Sequence, residues 1–188
     1  MKSWPLSLAR ITCGGHPAGA DSIYFGIENL NMRARSANTF TIEDLREIAQ
    51  TCDEHGMKSY LTVNTIIYDQ DLALMRTIVD AAKSAGISAV IAADVAVMSY
   101  ARQIGQEVHL STQLNISNVE ALALSTRQFA DVVVLARELN LEQVAEIYRH
   151  ICEENICGPG GKLFVSKCSV TVLSAWQCRE NAIFLCTR

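Results

Sequence analysis

The amino-acid sequence predicts an α/β fold in which parallel strands alternate with helices, and three observations support this prediction. Short apolar stretches alternate with amphipathic stretches, several of which stop at Gly, along most of the 188 residues. The stretches Ala-Val-Ile-Ala-Ala and Val-Val-Val-Leu-Ala are continuously apolar, as is typical of parallel strands with both faces buried. A polar residue follows one such stretch after another, which should collect polar side chains at one end of the fold.

The first strand is expected at residues 21–26, directly after the small residues Ala-Gly-Ala. The next helix starts at Thr41, because Thr41 can cap it and Asp44 occupies the capping-box position, where Glu is commoner. Gly56 supplies the left-handed conformation that ends this helix. The apolar residues between these ends recur at helical spacing: Ile42, Leu45, Ile48 and Ala49.

Four further pairs of strand and helix follow along the chain. The strands are predicted at residues 59–64, 89–94, 108–113 and 132–137, and the helices at residues 70–85, 95–104, 118–129 and 141–153. Gly86 and Gly105 end two of these helices.

Two architectures fit this alternation, a (β/α)8 barrel and an open doubly wound sheet. The dinucleotide-binding pattern Gly-x-Gly-x-x-Gly follows none of the strands, which disfavours the doubly wound sheet. Polar residues at successive strand ends favour the barrel, because its active sites lie at the carboxyl ends of its strands. Since a closed barrel takes about 250 residues, the sequence predicts an incomplete (β/α)8 TIM-like barrel.

Composition restricts the classes of function. Apolar residues make up 49% of the chain, as in a globular domain, and the net charge is −4. This charge argues against a broad nucleic-acid-binding surface, although a local basic pocket is compatible with it. Without a long apolar run or a secretory signal, we expect no membrane span. The seven cysteines are odd in number and contain no Cys-x-x-Cys pair, as expected for cytoplasmic thiols.

Five motifs occur in order at the predicted strand ends. They are Ala-Gly-Ala-Asp-Ser-Ile-Tyr-Phe-Gly at residues 18–26, Asn-Met-Arg-Ala-Arg at 31–35, Leu-Thr-Val-Asn at 61–64, His-Leu-Ser-Thr-Gln at 109–113 and Leu-Ala-Arg-Glu-Leu at 135–139. Together they resemble the bacterial collagenase-like peptidase family U32. The resemblance covers residues 18–163 and implies that they form the N-terminal barrel portion of a family member.

The resemblance implies a cytoplasmic protein that is either a peptidase, as the family label says, or an RNA hydroxylation factor. Some members act on tRNA or 23S rRNA pyrimidines, with prephenate implicated in the pathway, and others serve ubiquinone hydroxylation. The implied partners are therefore tRNA or rRNA and a small anionic metabolite such as prephenate. Several members hold a 4Fe-4S cluster through cysteines after a His-Gly-Ala-Leu-Cys motif. Because this chain lacks the motif, we expect the cluster in the full-length family member and not in this chain.

Residues 1–17 and 164–188 do not resemble the family. One choice of codons for the tail, read one base out of frame, gives His-Gly-Ala-Leu and Ser-Gly-Lys-Cys, which continue the family pattern. The same reading of residues 13–17 gives Ala-Ala-Ala-Ile-Gln, which the family has at this point. We therefore expect one frameshift before Ala18 and one near Phe164, which would make both end segments non-native. A genuinely divergent tail is the alternative.

Three arginines are candidates for an anion-binding pocket. Arg33 and Arg35 lie two residues apart, so their side chains point the same way in an extended loop, and Arg137 could close the pocket. Guanidinium groups bind carboxylates and phosphates through paired hydrogen bonds. Ion pairs with Glu28 or Asp44 are the structural alternative for the first two arginines.

Amides and acids at the strand ends complete the candidate site. Asn64, Gln113 and Asn115 are expected to contact the substrate, although Asn64 could instead cap a turn. Asp94 and Glu138 are the candidates for a catalytic acid or base. Capping of the next helix also explains Asp94 without any catalytic role.

A peptidase needs an activated nucleophile or a metal-bound water, and the sequence has neither a credible triad nor His-Glu-x-x-His. His109, Ser111 and Gln113 are expected to share one face of a strand. Two residues of one strand do not make a triad, so we expect His109 to be packed and hydrogen-bonded. RNA hydroxylation is the preferred function, a peptidase is the alternative, and a non-functional fragment is the third reading.

Overall fold

A computed structural model describes residues 21–27, 30, 40–130, 132–159, 165–167 and 184–186. Arg33 and Arg35 therefore lie outside the described residues, as do nearly all residues of the two segments expected to be frameshifted. The last two ranges contribute only strand backbone to the description.

The described strands form one seven-stranded sheet with the order β6-β5-β4-β3-β2-β1-β7. They are β1 (Ser22–Gly26), β2 (Lys58–Val63), β3 (Ala89–Ala92), β4 (Val108–Leu110), β5 (Val132–Val134), β6 (Val165–Lys167) and β7 (Phe184–Cys186). Neighbours from β1 to β6 are parallel, and β7 is antiparallel to β1. From β1 to β6 the order follows the chain without a reversal, as in the wall of a barrel, whereas a doubly wound sheet reverses. The predicted incomplete (β/α)8 barrel is confirmed.

Five α-helices lie between the described strands: α1 (Leu45–Glu54), α2 (Leu72–Ala85), α3 (Val95–Gln103), α4 (Val119–Gln128) and α5 (Leu141–Glu153). A turn of 3-10 helix precedes α1, and there the Asp44 carboxylate accepts a hydrogen bond from the Thr41 backbone N–H at 2.8 Å. Gly86 ends α2 with a φ of 83°, a backbone conformation that residues other than Gly rarely adopt. The helix starts and stops predicted from capping are therefore confirmed.

The strands bury alternate residues against the helices on one face of the sheet. This core face includes Ile23, Phe25, Leu61, Val63, Val90, Ala92, Val108, Leu110 and Val133, which share one hydrophobic core with residues of all five helices. The register places Thr62, Ile91 and His109 in one row on the opposite face. We call this second face the inner face, because in a closed barrel it lines the interior.

Four strands end earlier than the sequence predicted, at Val63, Ala92, Leu110 and Val134. In each case the strand ends before the polar residue at which the sequence analysis placed its end. After β4 the chain forms a 3-10 turn at Thr112–Leu114, which begins directly after Ser111. The expected alternation of His109, Ser111 and Gln113 along one strand is therefore wrong beyond Leu110.

Within the described residues, no helix is long and apolar enough to cross a membrane.

Candidate functional site at the carboxyl edge of the strands

The segments that follow β2, β3, β4 and β5 are tied to one another by hydrogen bonds. The Asp94 carboxylate after β3 accepts from the Ile67 N–H after β2 at 3.2 Å. The Ser111 N–H donates to the Ala92 carbonyl at 2.8 Å, and the Ala136 N–H donates to the Ile116 carbonyl at 2.9 Å. These bonds join the four segments into one continuous rim, which we call the carboxyl edge. The rim is where a barrel fold places its ligand site.

Asp94 bonds two segments of this rim with its two carboxylate oxygens. Oδ1 accepts from the Ala96 N–H at 2.8 Å and thereby caps α3, while Oδ2 accepts from the Ile67 N–H. Both bonds satisfy backbone donors that would otherwise lack a partner. The capping role that the sequence suggested for Asp94 is confirmed, and its catalytic role stays a prediction.

Asn64 and Thr65 follow β2 directly and are both partly buried. Among the described residues, the Thr65 hydroxyl is a buried side-chain oxygen without a hydrogen-bond partner. An unpaired buried hydroxyl raises the free energy of the folded state, so a ligand group that hydrogen-bonds Thr65 would remove this penalty. Thr65 was not among the residues predicted for the site, because a threonine after a strand is an ordinary turn residue.

Gln113 and Asn115 lie in the turn after β4, and both are exposed. The Ser111 hydroxyl donates to Gln113 Oε1 at 3.2 Å, which orients that amide. Asn115 ends the turn with a φ of 51°, a conformation that Asn tolerates better than most residues. The structure therefore places both amides on the rim, as predicted.

Arg137 and Glu138 form an exposed turn after β5, separated from the strand by the buried residues Leu135 and Ala136. Both side chains are exposed, and the segment that carries them belongs to the carboxyl edge through the bond from the Ala136 N–H to the Ile116 carbonyl. Arg137 is thus a described cationic group on the carboxyl edge. Its predicted companions, Arg33 and Arg35, lie outside the described residues, so the three-arginine pocket stays a prediction.

His109 belongs to the inner face and not to the rim. Its side chain is buried, Nε2 lies 2.8 Å from the Glu107 carboxylate, and its ring lies 4.7 Å from that of Tyr60 between centroids. The expectation of a packed, hydrogen-bonded histidine is confirmed. The Ser111 hydroxyl bonds Gln113 instead of the imidazole, so these two residues do not form a nucleophile and base pair.

Three exposed apolar or aromatic side chains also lie on two joined segments of the carboxyl edge, and sequence reasoning missed them. Ile66 is 71% exposed, Tyr68 is 62% exposed and Val95 is 60% exposed. The hydrogen bond between Ile67 and Asp94 brings the two segments that carry these residues together. We call Ile66, Tyr68 and Val95 the mouth patch.

The described cysteines do not fit a 4Fe-4S cluster. Cys52 is buried in α1, where loss of solvent raises the pKa of its thiol to about 11. Cys152 is exposed on α5, and Cys157 follows that helix. Within the described ranges, no group of three or more His, Cys, Asp or Glu side chains could hold a metal ion. A cluster-binding set is therefore not assembled by this part of the chain.

Comparison with known proteins gives several sequence relatives. A protein named collagenase from Porphyromonas gingivalis is 69% identical over 144 residues, which cover 77% of this chain and 34% of that protein. The 23S rRNA 5-hydroxycytidine C2501 synthase of Escherichia coli is 33% identical over 133 residues, 70% of this chain and 20% of that protein. The tRNA hydroxylation protein P1 of Bacillus subtilis is 30% identical over 131 residues, 69% of this chain and 31% of that protein.

Two solved structures resemble the fold. A U32 peptidase superposes with a TM-score of 0.56 at 16% identity, covering 69% of this chain and 56% of that chain. A dihydrodipicolinate synthase from Agrobacterium tumefaciens, which is a TIM barrel, superposes with a TM-score of 0.56 at 12% identity, covering 87% of this chain and 57% of that chain. At these identities the likeness concerns the fold alone, and it agrees with the barrel topology described above.

The chain spans about a third of the length of the collagenase relative. The model of peptidase family U32 matches residues 16–176, and so extends beyond the residues 18–163 that the motifs indicated. The expected frameshifts are not tested by this match and stay a prediction. The family match, the relatives and the barrel topology agree, and the chain belongs to peptidase family U32.

Proposed function

We propose that this chain is the barrel portion of an RNA hydroxylation factor that acts on tRNA or rRNA pyrimidines. The observation that carries the proposal is the match to relatives named for tRNA hydroxylation and for 5-hydroxycytidine synthesis in 23S rRNA. The carboxyl edge supports the proposal, because its described polar groups suit the recognition of a nucleobase. Ser111 and His109 bond other residues, so they do not form the nucleophile and catalytic base of a peptidase.

Amide side chains suit the edge of a pyrimidine. Asn64, Gln113 and Asn115 each carry two N–H donors and a carbonyl acceptor, and a pyrimidine presents both kinds of group on its Watson–Crick edge. Proteins that read RNA by sequence contact unstacked bases in this way. Gln113 and Asn115 are exposed on the rim and accessible to such a base.

Arginine on the same rim supplies the charge that RNA or an anionic metabolite requires. Arg137 is exposed there, and a guanidinium group binds a phosphate or a carboxylate through two parallel hydrogen bonds. Arg33 and Arg35 are proposed to join it and to bind a small dicarboxylate such as prephenate. The 4Fe-4S cluster is proposed to belong to the remainder of the longer protein, and no step is assigned to it here.

A peptidase is the second candidate, and the 69% identity to a protein named collagenase favours it. Peptide hydrolysis needs a group that attacks the carbonyl, activated by a neighbouring base or by a metal. Asp94 and Glu138 are the two acids at the predicted strand ends that we propose as candidates to activate a water. Because Asp94 already accepts two backbone N–H groups, Glu138 is the better placed of the two.

Two measurements on the full-length product of this gene separate the candidates. Nucleosides from tRNA and rRNA are analysed by mass spectrometry in cells with and without the gene, and the purified protein is assayed on gelatin. We expect a hydroxylated pyrimidine that disappears without the gene and returns with it, but not with the Arg137→Gln variant. Gelatin cleavage that Glu138→Gln abolishes, together with unchanged nucleosides, would establish the peptidase instead.

A further inference from the structure

We propose that the mouth patch is a stacking platform for an unpaired RNA base, with the ring of Tyr68 as its main contact. The inference rests on the proposed RNA function and adds to it a binding surface and a residue. Tyr68, Ile66 and Val95 are apolar or aromatic side chains that remain more than half exposed at the carboxyl edge. An exposed apolar cluster at a ligand-binding edge marks an interaction surface more often than isolated exposed side chains do.

The backbone under the patch is held in place although its side chains are exposed. The Ile67 N–H donates to Asp94 at 3.2 Å, and the Tyr68 N–H donates to Asp71 at 3.3 Å. These bonds hold two successive backbone N–H groups, those of Ile67 and Tyr68. A side chain displayed on a fixed backbone loses less conformational freedom on binding, which favours stacking on it.

The charges around the patch indicate which part of an RNA it contacts. Asp69 follows Tyr68 directly, the Asp71 carboxylate accepts a hydrogen bond from the Tyr68 N–H, and Asp94 directly precedes Val95. Three carboxylates repel phosphates, so the sugar–phosphate backbone does not lie on the patch. A neutral base has no such penalty, and its flat face stacks on a tyrosine ring irrespective of sequence.

The inference continues the surface of the candidate site. The β2–α2 segment carries Asn64 and the β3–α3 segment carries Asp94, so the patch and the rim residues share the same two segments. A base stacked on Tyr68 would therefore contact the same β2–α2 segment that carries Asn64, one of the amides that we propose to read a pyrimidine. The two contacts would act on the same nucleotide or on neighbouring ones.

The test measures binding of a fluorescently labelled single-stranded oligocytidylate to the full-length gene product by anisotropy. Stacking on an aromatic side chain contributes enough that its loss weakens binding about 5- to 100-fold, and we expect a loss in this range for Tyr68→Ala. Tyr68→Phe should bind like the parent, because the ring is retained. The matched control is Tyr148→Ala, since Tyr148 is 57% exposed on the outer helix α5, and its loss should leave binding unchanged.

Two further readouts separate stacking from a general loss of affinity. An oligonucleotide with abasic sites should bind the parent weakly and lose nothing more with Tyr68→Ala. The salt dependence of binding should be the same for the parent and for Tyr68→Ala, because no phosphate contact is removed.

Equal affinity of the parent and Tyr68→Ala for oligocytidylate would overturn the inference and leave the proposed RNA function standing. If Tyr68→Ala instead lost binding of a gelatin-derived peptide but kept binding of oligocytidylate, the patch would be a peptide-docking surface. That result would also overturn the inference. The proposed function has its own failure, unchanged nucleosides in cells without the gene, which does not depend on Tyr68.

Discussion

Two threonines near the carboxyl edge differ in one respect, whether the hydroxyl has a partner. The Thr62 hydroxyl donates to the Phe25 carbonyl at 2.9 Å, whereas the buried Thr65 hydroxyl has no partner among the described residues. Replacing a buried hydroxyl by a methyl group removes the cost of an unpaired polar group but also removes any bond that it made. The two positions should therefore respond to the same substitution with opposite signs.

We expect Thr65→Val to stabilise the protein by about 1 kcal/mol. The control Thr62→Val should destabilise it by a similar amount of about 1 kcal/mol, because the bond to Phe25 is lost. Urea unfolding followed by circular dichroism gives both free energies. If Thr65→Val is destabilising, the Thr65 hydroxyl has a partner in residues that the structure does not describe.

Cys52 gives a prediction that depends on pH. Burial raises the pKa of its thiol from 9.0 to about 11, so between these values the folded protein holds a proton that the unfolded chain has lost. Its contribution to stability is thus complete below pH 9.0 and is lost as the pH rises to about 11. We expect the free energy of unfolding to fall over this interval more steeply in the parent than in Cys52→Ala.

Thiol labelling at neutral pH provides a second measurement on the same residue. The thiolate is the reactive form, so buried and protonated Cys52 should react slowly with iodoacetamide. Cys152 is exposed and should react fast in the same sample. Peptide mapping distinguishes the two, and equal labelling rates would contradict the burial of Cys52.

At the scale of elements, helices were easier to predict than strand ends. A cap is a local feature, so the helix start at Thr41 with Asp44 could be recognised from a few adjacent residues. A polar residue after an apolar run does not reveal whether the strand continues or turns. The sequence therefore predicted a strand through Gln113, whereas the structure turns at Ser111.

Asp94 shows a further limit on element-level prediction. Its cap on α3 was predictable, because the capped Ala96 N–H lies two residues away. Its bond to the Ile67 N–H spans 27 residues of sequence and depends on β2 and β3 being neighbours. That contact arises from the fold, and no local pattern announces it.

Loss of both Asp94 bonds should weaken α3 and the β2–α2 segment together. We expect Asp94→Ala to reduce the free energy of unfolding by about 2 kcal/mol, and Asp94→Asn to reduce it by less, because one side-chain oxygen remains. The control is Asp53→Ala on the exposed surface of α1, with a change within about 0.5 kcal/mol. Chemical unfolding measures the free energy of unfolding of all three variants. An unchanged free energy for Asp94→Ala would contradict a stabilising role of the Asp94 bonds to Ile67 and Ala96.

At the scale of the whole molecule, the order of the strands was predictable, and so was the edge that carries the candidate residues, whereas their role in binding a ligand stays a prediction. Alternating apolar and amphipathic stretches, without a dinucleotide motif, were enough to favour a barrel. Asn64, Asp94, Gln113 and Arg137 were correctly expected at one edge because parallel strands end on the same side. The mouth patch was not foreseen, since the sequence alone does not show that Ile66, Tyr68 and Val95 are exposed.

The inner face leads to a prediction for the isolated chain. Tyr24, Tyr60 and Ile91 are only partly buried there, whereas a closed barrel fills its interior with side chains. We expect the folded chain to bind the dye ANS, and Ile91→Thr to reduce the fluorescence because less apolar surface is offered. The control is Leu124→Thr, which removes a 63% exposed side chain from the helical exterior. Equal reductions would assign the dye to the exterior.

The antiparallel strand β7 affects how such a chain could be completed. In its register, Ser22 faces Cys186 and Tyr24 faces Phe184, so the free side of β1 already has a neighbour. A barrel of eight parallel strands closes only when its last strand pairs with that same edge of its first strand. A further strand that closed the barrel would therefore have to displace β7 from β1. While β7 is paired, it covers this edge of β1 and prevents it from pairing with a strand of another molecule.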